Sequence, residues 1–67
     1  MSNDLKLVEE TDGVLWSVRT GGTVFLVVAQ LSNLYDVHVV ADGGVEHLGQ
    51  VASHDGALGL IQDELNG

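Results

Sequence analysis

The chain contains no cysteine and no proline, and only two basic residues, Lys6 and Arg19. Without cysteine there is no disulfide framework, no thiolate metal site and no cysteine nucleophile, and the redox compartment stays undetermined. Without proline, glycine must do the punctuation. Long apolar runs are missing as well. The longest, Val24 to Ala29 (VFLVVA), is far too short to cross a bilayer as a helix. The opening segment MSNDLKLVEE carries acid where a secretory signal carries base, and it lacks an apolar central run. The expectation is a cytoplasmic protein with no membrane contact.

What the chain does contain is acid. Ten Asp and Glu residues against two basic ones give a net charge of −8 over 67 residues. Such a field repels phosphate backbones and anionic lipid surfaces, so no direct nucleic-acid binding is expected. Three readings of the acidity compete: plain solubility, adaptation to high salt, or a functional surface that docks on a basic protein or imitates nucleic acid. Against the charge stands a 45% hydrophobic content rich in Val and Leu, which separates the chain from disordered sequences. Its length allows one domain, residues 1–67, near the lower limit for folding without disulfides or metal.

Asp12-Gly13, Gly21-Gly22 and Asp42-Gly43-Gly44 each separate runs of β-branched and apolar residues, the pattern of hairpins with primed turns. The implied strands are Leu5 to Glu10, Val14 to Thr20, Thr23 to Gln30, Tyr35 to Ala41 and Val45 to Val51, with Leu31 to Leu34 as a longer connection. Turn geometry then sets Val18 opposite Phe25, Trp16 opposite Val27, Leu7 opposite Val18 and Glu9 opposite Trp16. By the period of two, one sheet face collects Leu5, Leu7, Val14, Trp16, Val18, Phe25, Val27 and Ala29.

A helix follows. Ser53 suits an N-cap, Asp55 suits the first turn, and Asn66-Gly67 closes the end. Ala57, Leu58, Leu60, Ile61 and Leu65 form an apolar stripe at helical spacing. Gly56 and Gly59 each weaken the helix by roughly 1 kcal/mol relative to Ala, so its stability has to come from packing. The fold class is α+β: an antiparallel β-meander of about five strands with one C-terminal α-helix packed on one face.

The second sheet face is apolar too. Val8, Leu15, Val24, Leu26 and Val28 fall there, beside Ser17 and Arg19. One helix covers one face, and a strand apolar on both sides reads as buried on both. The reading is that this face is an interface and the chain a homodimer, because two-fold dimers are the commonest oligomer. The competing reading is a curved sheet that folds over its own second face.

Chemistry-bearing residues are few. His38 and His47 fall opposite each other if Asp42-Gly43 makes the turn, and are separated if Gly43-Gly44 does. Asp36, Glu46 and His54 lie nearby. Two histidines without Cys or a HExxH spacing form a weak pattern, so no metal or other cofactor is expected. Ser17, Ser32 and Ser53 have no local catalytic partner, and Glu9 and Glu10, as strand neighbours, point to opposite faces. The Gly-Gly turns lack the Lys and helix context of a phosphate loop. Trp16 reads as core, and Arg19 can pair with Glu10 across strands. No enzyme is expected. The function read from this is a small, acidic, non-enzymatic interaction protein that self-associates through an apolar sheet face. The alternatives are a phage or mobile-element inhibitor that mimics nucleic acid and docks on a basic protein, and a small metal-binding domain.

The alternation YDVHVV, the turn Asp42-Gly43-Gly44, His47-Leu48-Gly49, then Ser53 and Ala57-Leu58 together resemble part of a known family. These are the three-stranded-sheet-plus-helix domains typified by the AP2-like, arm-type DNA-binding modules of phage integrases. The resemblance spans about residues 35–65 and implies a sheet followed by a packed helix. In that family the strands present Arg and Lys to the major groove. Here the corresponding Asp36, His38, Glu46 and Gln50 are acidic or neutral, so no functional residue carries over.

Overall fold

Three short turns organise the sheet, and each bends the chain differently. In the computed structural model, which describes residues 5–67, the strands are β1 (Val8–Thr11), β2 (Leu15–Thr20), β3 (Thr23–Ala29), β4 (Tyr35–Ala41) and β5 (Gly44–Val51). They form one antiparallel sheet in the order β1-β2-β3-β4-β5, a meander in which every strand pairs with its neighbour in the chain. A 3-10 turn, η1 (Leu31–Asn33), links β3 to β4, and α1 (His54–Asn66) follows β5. The fold is α+β.

Only one of the turns has the sign pattern of a primed turn. Gly21 has φ 55° with Thr20 and Thr23 paired across it, as a type II′ turn requires of its first central residue. At the first hairpin the left-handed residue is Gly13, φ 71°, and Val14 N–H donates to Thr11 O at 2.9 Å. This is the arrangement of a type II turn. At the third, the positive φ falls on Gly44, 123°, the first residue of β5, rather than inside the two-residue loop Asp42-Gly43.

The central register is the one the sequence implies. Trp16 pairs with Val27, Val18 with Phe25 and Glu9 with Trp16. β1 differs in extent: its ladder starts at Val8, and Leu5 and Leu7 lie before it, packed on the core. Between Glu9 and Thr11 the register shifts, so Glu10 sits in a bulge that bends this edge strand.

Val18, Phe25, Val27 and Val37 from one sheet face meet Ala57 and Ile61 from α1, and all six are at most 1% exposed. Fully burying a side chain of this kind contributes about 1.5–3 kcal/mol. Leu58 and Leu60 add to the contact, whereas Leu65, at the far end of the stripe, stays 38% exposed. Val14, expected in the core, is 47% exposed because it belongs to the turn before β2. α1 lies across β4 and β5. Its start is fixed twice. Ser53 Oγ accepts from Gly56 N–H at 3.0 Å. The His54 ring packs against Trp16 and Tyr35, with ring centres 4.5 Å and 4.9 Å away. Aromatic pairs of this kind contribute about 0.5–1.5 kcal/mol beyond area burial.

Candidate functional site

Alternation puts Val8, Leu15, Ser17, Val24, Leu26, Val28, His38, Val40 and Val45 on the face opposite α1. No apolar side chain among them is buried. Leu15, Val24, Leu26, Val28 and Val40 are half-buried, shielded by their neighbours in the sheet. Val8 is 51% and Val45 67% exposed. The described residues form an open sheet, with no segment folded over this face in the way a self-covering curl requires.

Ser17 is the exception. It is 2% exposed, a small residue sunk between Val8 and Leu26, its partners on either side. Burial would leave its hydroxyl short of a partner, and Glu10 supplies one. Ser17 Oγ donates to Glu10 Oε2 at 2.5 Å, and Arg19 Nη2 stands 3.9 Å from the same oxygen. Alternation from Val8 puts Glu10 on this face. With Arg19 largely exposed, the ion pair contributes little.

At the other end of the face, the β4–β5 ladder settles which turn forms. Ala41 pairs with Gly44, Val40 with Val45 and His38 with His47, so Asp42-Gly43 is the turn. The two imidazoles stand side by side, ring centres 5.0 Å apart and planes tilted by 46°. A bulge follows at once. Val37 pairs with Gly49, leaving Leu48 as the extra residue in β5. Leu48 already faces the core by alternation, and the shift turns Val51 there as well and sets Gln50 opposite Asp36 on the histidine face. Gln50 Nε2 donates to Asp36 Oδ1 at 3.1 Å, and His47 Nε2 lies 3.5 Å from that oxygen.

No family model, curated protein or solved structure matches this chain. The site therefore has to be read from its own geometry.

Among the described residues, no group of three or more His, Cys, Asp or Glu is set to hold a metal ion. His54, a neighbour in sequence, is drawn into the aromatic trio with Trp16 and Tyr35. Glu46 pairs with Val39 and lines an open recess beside the turn with Val39, Ala41, Gly43, Gly44 and Val45. That recess offers one ionisable group and no nucleophile. Ser53 is committed to its cap. Among the described residues, none of the three serines is hydrogen-bonded to a histidine. Among the described residues, no helix is long and apolar enough to cross a membrane.

The alternation of the strands was enough to place the second-face residues. Sequence reasoning missed the aromatic trio and the Ser17–Glu10 contact. The trio depends on bringing distant segments together, whereas the Ser17–Glu10 contact lies within the first hairpin, and the buried position of a small polar residue between Val8 and Leu26 could have been inferred from the register.

Proposed function

We propose that this chain is a small, non-enzymatic interaction protein that self-associates through the sheet face opposite α1. The observation that carries the reading is the half-buried row Leu15, Val24, Leu26 and Val28, continued by the exposed Val8. In a structure with a complete core on one side of the sheet, a contiguous apolar row on the other supports reading it as an interaction surface. A second copy fits it because an isologous contact needs only one self-complementary patch. The acid supports this geometry: Glu9, Asp12, Asp42 and Glu46 are exposed and lie at the sheet's edges and turns, so they keep the outside of an assembly soluble. The proposed setting is the cytoplasm.

Light scattering on the purified chain at micromolar concentration tests the reading. Twice the 7.1 kDa chain mass is expected, and a strict monomer that binds nothing through this face overturns it.

The same exposed carboxylates support a second reading, an inhibitor that docks on a basic protein surface in place of nucleic acid. Asp4, also counted toward that surface, lies outside the described residues. Pull-down at low and moderate salt separates the two readings. A basic partner released as salt rises supports mimicry, and an apolar self-contact persists.

A further inference from the structure

We infer that His38 and His47 form a cross-strand chelate for a divalent transition-metal ion, with Asp36 orienting His47 from behind. The argument rests on geometry. Metal–imidazole bonds of 2.0–2.1 Å put the ion about 3.2 Å from each ring centre. Two imidazoles on one tetrahedral ion therefore have centres about 5.2 Å apart, and two at right angles on an octahedral ion about 4.5 Å apart. The observed separation is 5.0 Å. The rings already stand at chelating distance.

The surroundings favour the same use. A metal-binding imidazole characteristically donates its other ring N–H to a carboxylate, which fixes the tautomer and raises the basicity of the ligating nitrogen. Asp36 Oδ1 lies 3.5 Å from His47 Nε2, at ion-pair distance rather than hydrogen-bonded, and it is itself anchored by Gln50 Nε2 at 3.1 Å. Closing that gap to a hydrogen bond would commit His47 Nε2 to Asp36 and leave Nδ1 for the ion. The bulge at Leu48 is required for this support, since an unbroken ladder would set Gly49 opposite Asp36 and turn Gln50 to the other face. Leu26, paired with His38 on its other side, gives the site an apolar shoulder. The hairpin is closed by a two-residue turn, so little ordering entropy remains to be lost when the ion binds. A net charge of −8 draws cations to the surface.

With two protein ligands, water completes the coordination sphere. Imidazole donors select ions such as zinc, nickel and copper over magnesium and calcium, which prefer oxygen.

The test is a titration of the full chain with zinc chloride, followed through the imidazole resonances. His38 and His47 are expected to shift together and saturate at no more than one ion per chain, with His54 unmoved as the internal control. Magnesium chloride is expected to shift none of the three. His38→Gln or His47→Gln should abolish the coupled shift of the remaining ring. Asp36→Asn should weaken zinc binding by about 10–100-fold while leaving both rings responsive. Circular dichroism confirms that each variant keeps its fold. As an independent readout, zinc should raise the thermal midpoint of the wild-type chain, and a chelator should reverse the rise. The inference is overturned if His54 moves in step with the pair, if only one of the pair moves, if none responds, or if His38→Gln binds zinc like the wild type.

Discussion

Gly49 in β5 lies directly beneath Leu60 of α1: a Cβ placed on Gly49 would stand 3.1 Å from Leu60 Cδ2. Absence of a side chain at this point lets the helix settle onto the sheet. Gly49→Val is expected to push α1 outward and cost about 1–3 kcal/mol, as overpacking does. Gly59 is the opposite case, an exposed mid-helix glycine with nothing within 4 Å of the added carbon. Gly59→Ala should stabilise the domain by about 0.8–1 kcal/mol. Urea denaturation of the two variants reads both signs.

Ile61 and Ala57 are the buried residues of α1. Ile61→Ala removes the larger of them and should cost about 2–5 kcal/mol. A domain of this size has roughly 3–5 kcal/mol to lose. Loss of the cooperative thermal transition in circular dichroism is the expected result.

Capping gives a gentler version of the same test. Ser53 Oγ accepts from Gly56 N–H, so Ser53→Ala should cost about 1 kcal/mol and Ser53→Asp close to nothing. The difference in thermal midpoint between the two variants isolates the cap from the packing.

Ser32 and Asn33 both hold positive φ, 73° and 61°, in the connection between β3 and β4. Asparagine tolerates that region, whereas serine is strained there by about 1 kcal/mol. Ser32→Gly relieves the strain and adds freedom to the unfolded chain, which leaves a net gain of about 0.5 kcal/mol. A small rise in the urea midpoint at unchanged slope is expected.

Leu26 sits at the centre of the face opposite α1, paired with Ser17 on one side and His38 on the other. Leu26→Lys should leave the core untouched, since that residue is only half-buried and faces away from Phe25 and Ile61. It should abolish self-association. Light scattering and thermal unfolding on one sample separate loss of association from loss of fold.

Much of this architecture was legible in the residues. Asp-Gly and Gly-Gly steps between β-branched runs marked where the chain turns, and period-two alternation marked which side of the sheet Phe25 and Val27 occupy. Ser53 and the stripe through Ile61 announced the helix. The third hairpin was ambiguous because Asp42-Gly43 and Gly43-Gly44 are both competent turns, and their difference of one residue decides whether His38 meets His47. The bulge at Leu48 leaves only a faint trace: Leu48 and Val51, three apart, break the alternation of β5. Burial of Ser17 follows from the height of its neighbours rather than from its own chemistry. The aromatic trio needed the helix position before Trp16, Tyr35 and His54 could be connected.

In the meander, each strand pairs only with the one before and after it, joined by a short turn or by η1. Every ladder thus closes a small loop at low entropic cost, a topology that favours fast folding for a β-rich chain. The seat of α1 is complete only where β4 and β5 are paired. Alanine at Gly13 or Gly21, where φ is positive, should then slow refolding followed by the fluorescence of Trp16.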